Sequence, residues 1–352
     1  MTTCLIALGA NLGPREANLA RAVEMLSDHP RIEFEAVSRW SETAPVGGPA
    51  GQGPFLNAAA RLETTLSAVE LFDHIRWIEK NLGRQRSQRW AARTIDLDLL
   101  LFGDAVISDL RLCVPHPRMA VRRFVLQPAA EVAAGMVHPV VGWTIAKLLD
   151  HLDSSPPYIA IAGPPGAGKT ALAAELASRL PARQINVPTN VAPAVDPNRA
   201  AQDASQMVSD AWNREVAFME TRVTKLAAVD WPDSAQFAVS DFWFDQSLAY
   251  AEMNLPADRL PAFRRQWRVQ REQIPAPRFT VLLGPYPRPF TPPVPPENLD
   301  PLDGKNNNES DDTANALARV AMQPVRGPVL WLSNADHRQA LDEVLAAVES
   351  MR

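Results

Sequence analysis

Along the first 150 residues, apolar and polar positions either alternate or recur at helical spacing, and each change of period marks a new element. Cys4 to Leu8 is a short apolar run that ends at Gly9-Ala10-Asn11, the first strand. Pro14 sits near the first turn of a helix whose Leu19, Val23 and Leu26 keep i, i+4, i+7 spacing, and which stops before Pro30. Ile32, Phe34 and Ala36 alternate with Glu33 and Glu35 as a second strand, and the Gly- and Pro-rich stretch 43–54 excludes regular structure. In a third strand Leu56, Ala58, Ala60 and Leu62 share one face, with Asn57, Arg61 and Glu63 opposite. Ser67 to Gly83 opens on a capping box (Ser67, Glu70), carries Leu71, Ile75, Ile78 and Leu82 as one stripe, and ends at glycine. Thr94 to Phe102 is the fourth strand, with Ile95, Leu97, Leu99 and Leu101 facing one way and Asp96 and Asp98 the other. The order β-α-β-β-α-β predicts a ferredoxin-like α+β domain over residues 1–152.

Residues 153–157 (Asp-Ser-Ser-Pro-Pro) read as a linker into a second domain over 158–352. Tyr158 to Ala162 is a buried-type strand, followed by Gly163-Pro-Pro-Gly166-Ala-Gly168-Lys169-Thr170 and a helix from Ala171 to Leu180. Further on come a helix near 206–226, a strand at 236–240, helical sequence to about Gln273, strands at 279–283 and 329–332, and a helix over 336–351. Strands alternating with helices predict a parallel, helix-covered sheet. The segment 285–312 is proline-rich, then asparagine- and acid-rich, and is expected to be a disordered insertion. Arg264, Arg265, Arg268 and Arg271 are expected to form a solvated face.

A length of 352 residues suits two domains. The net charge of −5 and sequence pI near 5.8 argue against nucleic acid or an anionic membrane as the partner. Cys4 and Cys113 match neither a metal spacing nor a disulfide framework. The first apolar run is cut at Gly9, so neither a signal peptide nor a membrane span is expected, and the expected location is the cytoplasm.

Four arginines (Arg84, Arg86, Arg89, Arg93) fall within ten residues, immediately before Asp96 and Asp98. Two carboxylates on one strand face repel unless a cation lies between them. Carboxylates take a hard divalent metal and guanidiniums take phosphate oxygens, so the pattern points to a metal carrying a polyphosphate. The bland reading is a solvent-facing acidic strand beside a basic loop. An RNA-recognition module shares the element order, but Phe55-Leu-Asn-Ala-Ala-Ala-Arg61 lacks the aromatic and basic set that one needs. In the second domain Gly163, Gly166 and Gly168 allow backbone N–H groups to wrap a phosphate, Lys169 reaches the terminal ones, and Thr170 can ligate magnesium. The bland alternative there is a glycine-rich turn without a ligand.

The blocks Ala7-Leu-Gly-Ala-Asn11, Thr43-Ala-Pro45, Phe55-Leu-Asn-Ala58, Gly83-Arg-Gln-Arg86, Arg89-Trp90, Arg93-Thr-Ile-Asp-Leu-Asp98 and Val114-Pro-His116 occur in order over residues 3–151. Together they resemble 6-hydroxymethyl-7,8-dihydropterin pyrophosphokinases, which move a pyrophosphoryl group from ATP to the pterin hydroxymethyl oxygen in folate biosynthesis and release AMP. The resemblance implies that Asp96 and Asp98 bind two Mg2+ ions, and that Arg84, Arg93 and Arg122 hold the polyphosphate. It places Arg86, Arg89 and Trp90 on a loop that closes over the site, His116 on an ATP phosphate, and Glu79 beside the nucleotide. Phe55 and Phe124 would sandwich the pterin, with Asn57 on its amide edge and Thr43 near that pocket. The chain departs from the family pattern at Ser41, usually a tyrosine, and at Ala91-Ala92, usually glycine-proline.

The second half resembles deoxynucleoside kinases through its phosphate loop, Trp212 to Arg222, and Ser240-Asp241 with Asp245 and Ala249-Tyr-Ala251. It departs from them in carrying no glutamate between Leu176 and Arg214, in Asp245-Gln246 where that family has Asp-Arg, and in lacking an arginine-rich lid after Leu283. A general base and a charge-neutralising lid both contribute to phosphoryl transfer. The domain therefore reads as a degenerate or regulatory nucleotide-binding unit, with an active deoxynucleoside kinase as the alternative. A non-catalytic nucleotide sensor over the whole chain is the third reading, and the intact set Asp96, Asp98, Arg93 and His116 opposes it.

Overall fold

A computed structural model describes residues 1–49, 51–84, 90–109, 111–180, 182–186, 204–229, 231, 237–284, 308–323, 326–332 and 336–351. Two compact units emerge, one comprising residues 1–154 and 342–351, the other beginning at Ser155.

The first unit is built on β1 (Thr2–Ala10), β2 (Ile32–Val37), β3 (Ser41–Thr43), β4 (Phe55–Thr64) and β5 (Asp96–Phe102). Their spatial order is β2-β4-β1-β5, antiparallel throughout, with β3 added beside the start of β4. This is the expected split β-α-β arrangement. Helices α1 (Arg15–Ser27) and α2 (Ala68–Asn81) cover one face, where Leu19, Leu26, Leu71, Ile75 and Ile78 pack on Ile6, Leu8, Leu62 and Leu97. The Ser67–Glu70 capping box starts α2 as its sequence predicts.

Helices α3 (Arg123–Ala133) and α4 (Ile145–Ser154) cover the other face, with Leu126, Ala129 and Leu148 against Leu5, Ala59 and Leu101. Leu101 thus departs from the strict alternation expected of the fourth strand. The pairing of β1 with β5 slips between Leu5 and Ile6, leaving Leu100 as an extra residue that reverses which face Leu101 occupies. A short hairpin of β6 (Ile107–Ser108) and β7 (Cys113–Val114) follows β5 and leads through a cis Val114–Pro115 peptide to His116. Asp153 and Ser154, expected in the linker, end α4 instead. Arg123 holds Asp153 at 2.7 Å, and Pro156 and Pro157 stop the helix beyond it.

The second unit has a parallel sheet ordered β12-β11-β8-β10-β9, made of β8 (Tyr158–Ala162), β9 (Arg183–Ile185), β10 (Ala238–Ser240), β11 (Phe279–Leu282) and β12 (Val329–Trp331). Every residue of β8 is buried, as a central strand covered on both faces requires. Its helices are α5 (Lys169–Arg179), α6 (Ala204–Ala227), α7 (Gln246–Asn254), α8 (Leu260–Arg271) and α9 (Asn308–Ala321), and α10 (His337–Glu349) is the last element of the chain. Residues 308–312, expected within a disordered insertion, form the start of α9. Ala316, Leu317 and Val320 give it a buried stripe. The rest of that expected insertion, 285–307, lies outside the described residues. On α8, Arg264, Arg265 and Arg268 are exposed as expected, whereas Arg271 turns inward onto the buried Asp245 at 3.2 Å.

Candidate active site

Three neighbouring strands place the site at one end of the first sheet. In register, Gly9 of β1 lies between Asn57 of β4 and Asp96 of β5, and Ala7 lies opposite Asp98. Glycine at position 9 leaves the floor of the cleft open, because a Cβ there would come within 3.2 Å of Asn57 Oδ1 and 3.9 Å of Phe55 Cδ1. Around this floor a single cleft collects Thr43, Phe55, Asn57 and Phe124 with Arg84, Trp90, Arg93, Asp96, Asp98, His116 and Arg122. Residues spread from Thr43 to Phe124 therefore converge as the motif order predicts.

The acidic end is charge-paired. Asp96 receives Arg84 Nη2 at 2.6 Å on one oxygen and Arg93 Nη1 on the other. Burial first, and then the charge of Asp98, push the Asp96 carboxyl above its ordinary range, while Arg93 and Arg84 pull it back. Glu79 does not line the cleft. It is buried at the last turns of α2, where its carboxylate accepts from Leu97 N at 2.9 Å and from Arg84 Nη1. It thereby fixes both the strand residue between the two aspartates and the arginine facing them. His116 accepts from Arg118 N at Nδ1 (3.3 Å), so its proton sits on Nε2, 3.8 Å from Asp98 Oδ2. Burial, reinforced by Arg122 and Arg118, drives its pKa down to about 3, so this ring is a neutral hydrogen-bond donor.

Asp96 and Asp98 fit magnesium. Among the described residues no cluster of three or more His, Cys, Asp or Glu could hold a metal by itself. Two carboxylates facing arginines suit a hard cation that takes its remaining oxygens from water and phosphate. At the other end, Asn57 Nδ2 donates to Thr43 Oγ1 at 2.7 Å, and β3 holds Thr43 opposite Phe55. The three-residue β3 escaped the periodicity because it is too short to show one. Arg122 stands over the Phe124 ring, 5.6 Å from its centroid, at the start of α3.

Trp90 adopts φ 60°, and its ring and carbonyl press on Gly47 and Gly48, where any Cβ would meet them at 2.9 and 2.5 Å. Arg86 and Arg89, expected on the same loop, lie outside the described residues. Two residues of the cleft region carried no assigned role in the sequence: Arg118, which lines it, and Asn11, whose side chain bonds to Gln52, Gly53 and Arg93.

In the second unit Gly163 to Thr170 joins β8 to α5 as predicted, with Gly166 and Gly168 at φ 78° and 80°. Lys169 Nζ donates to Pro164 O at 2.8 Å, and Thr170 Oγ1 donates to Asp241 Oδ2 at 2.9 Å. Burial holds the Lys169 ammonium below its ordinary pKa, against the pull of Asp241. No helix among the described residues is long and apolar enough to cross a membrane.

The family model for 7,8-dihydro-6-hydroxymethylpterin-pyrophosphokinase matches residues 5–134. The 2-amino-4-hydroxy-6-hydroxymethyldihydropteridine pyrophosphokinase of Bacillus subtilis is 47% identical over 127 residues, covering 36% of this chain and 75% of that protein. Its counterpart in Synechocystis is 39% identical over 149 residues, covering 42% and 75% respectively. The bifunctional protein FolKE of Lactococcus lactis subsp. cremoris is 39% identical over 132 residues, 38% of each chain. With three quarters of the Bacillus subtilis enzyme covered at 47% identity and a cleft that unites the motif residues, the chain belongs to the 2-amino-4-hydroxy-6-hydroxymethyldihydropteridine pyrophosphokinase family.

Proposed function

We propose that the first unit transfers pyrophosphate with Asp96 and Asp98 as the metal-binding pair, Arg84, Arg93 and Arg122 on the polyphosphate, and the pterin between Phe55 and Phe124. The observation that carries this reading is the capture of Asp96 between Arg84 and Arg93. Asp96 and Asp98 would hold Mg2+, two ions in this reading, which would leave the Arg84 and Arg93 guanidiniums to phosphate oxygens. Bound there, the metal would supply neutralisation of the phosphate charge. The pterin hydroxymethyl oxygen forms a bond to the β-phosphorus and gives up its hydroxyl proton to water, while the bond from that phosphorus to the α–β bridging oxygen breaks and that oxygen leaves with AMP. Arg84 and Arg93 bind the charged oxygens in both states, and His116 donates a hydrogen bond from Nε2–H to a phosphate oxygen. Asn57 and Thr43 fix the pterin edge, and the two phenylalanines exclude water from its faces. Arg86, Arg89 and Trp90 complete the nucleotide side, with Glu79 anchoring Arg84. Phe124→Ala and Asn57→Ala should each raise the KM for dihydropterin about ten-fold or more, leaving that for ATP within about two-fold. An unchanged pterin KM in both would sink the assignment of this end of the cleft.

For the second unit we propose nucleotide binding at Gly163, Gly166, Gly168, Lys169 and Thr170, with magnesium on Thr170. The strand–loop–helix setting and the Thr170–Asp241 bond support it. A role as a degenerate or regulatory domain rests on the missing glutamate and lid, and on the placement of Asp245. That residue is locked between Arg271 and Arg326 rather than open to an acceptor. An Asp96→Ala/Asp98→Ala protein given Mg-ATP and each deoxynucleoside decides the point. Nucleoside monophosphate above a Lys169→Ala control on that background would make the chain a bifunctional enzyme.

A further inference from the structure

We infer that Asn11 is a positioning residue that couples the pterin end of the cleft to its phosphate end. This rests on the assignment of those two ends given above. Asn11 follows directly on β1 and is 8% exposed. Its Nδ2 donates to Gln52 Oε1 at 3.2 Å and to Gly53 O at 3.3 Å, while its Oδ1 accepts from Arg93 N at 2.7 Å. Its own N–H donates to Arg93 O at 3.0 Å, and Gln52 Nε2 closes the ring by donating to Trp90 O at 2.9 Å.

One buried amide therefore binds two chain segments about forty and eighty positions away. Gly53 stands two residues before Phe55 and four before Asn57, and Arg93 stands three before Asp96 and bonds to it. Both donors and an acceptor are needed, which among small side chains only the Asn amide supplies. A displacement of Gly53 on pterin entry reaches Arg93 through the ring centred on this amide, and the reverse holds for the nucleotide. Each ligand should then tighten the other, because coupling between two sites is reciprocal.

The test is calorimetric titration of the full chain with 6-hydroxymethyl-7,8-dihydropterin, with and without magnesium and α,β-methylene-ATP, whose α–β bridge cannot be cleaved. In the unaltered protein the analogue should tighten dihydropterin binding by about five-fold or more. In Asn11→Ala this enhancement should fall below about two-fold, with each ligand alone bound within about three-fold of its original affinity. Gln52→Ala cuts the same ring from its partly exposed side and should reduce the enhancement too, whatever the folding cost at position 11. Full enhancement in both variants overturns the proposal. So does a parallel fall of both single affinities and of Tm, which is the mark of a merely structural asparagine. No dihydropterin binding in the unaltered protein even with magnesium and the analogue present would instead refute the functional reading beneath it.

Discussion

Gly9 and Glu79 show how single side chains, or the lack of one, shape this cleft. Gly9→Ala adds a methyl group that Asn57 must yield to by a few tenths of an ångström. We expect kcat/KM for dihydropterin to fall about ten-fold, near 1.4 kcal/mol, while Tm holds or rises, since alanine suits a strand better than glycine. Steady-state kinetics and a thermal melt check both halves. Glu79→Ala leaves the Leu97 N–H without its acceptor and the largely buried Arg84 with one of its two carboxylates, Asp96. It should cost about 3 kcal/mol of stability in urea unfolding, as breaking one side of a buried pair does. The two aspartates and the arginines before them stood out in the sequence by charge and spacing, whereas Phe55 and Phe124 were singled out only by the family resemblance. Asn11 did not stand out, because its role exists only where the segments around Gln52 and Arg93 converge.

Among the elements, the four long strands and first two helices of the first unit follow from periodicity, and their limits from Pro14, Ser67 and Gly83. Leu101 defeated it, because one bulged residue reverses the faces beyond it. Helices α3 and α4 had no sequence expectation; their apolar positions had no recognised partner until the second face of the sheet was seen. The turn between them holds His138, 4% exposed, which accepts from Val141 N at Nδ1 and is held down at about 4 by burial. Unfolding restores a value near 6.5, so the unfolded chain binds the extra proton between these limits. Stability from this group is complete above about pH 6.5 and is lost as pH falls toward 4. His138→Asn keeps an acceptor without titrating. Between pH 7 and pH 5 it should therefore lose about 2 kcal/mol less than the parent in urea unfolding.

At the scale of the whole molecule, the two proposed phosphate sites differ in design. One is built from side chains on an antiparallel sheet, the other from backbone at the end of a parallel strand. The first announced its chemistry because its ligands are side chains; the second announces a phosphate but no acceptor, since its distinguishing side chains are absent or buried. Binding of magnesium α,β-methylene-ATP should show two sites per chain, and one in Lys169→Ala. The measurement that bears most directly on the account is product analysis with ATP, Mg2+ and dihydropterin, by chromatography. AMP should appear in one-to-one ratio with pterin diphosphate, unchanged by Lys169→Ala and reduced about 1,000-fold or more by Asp96→Asn/Asp98→Asn. Formation of ADP in place of AMP, or AMP formation that survives the loss of both aspartates, would contradict it.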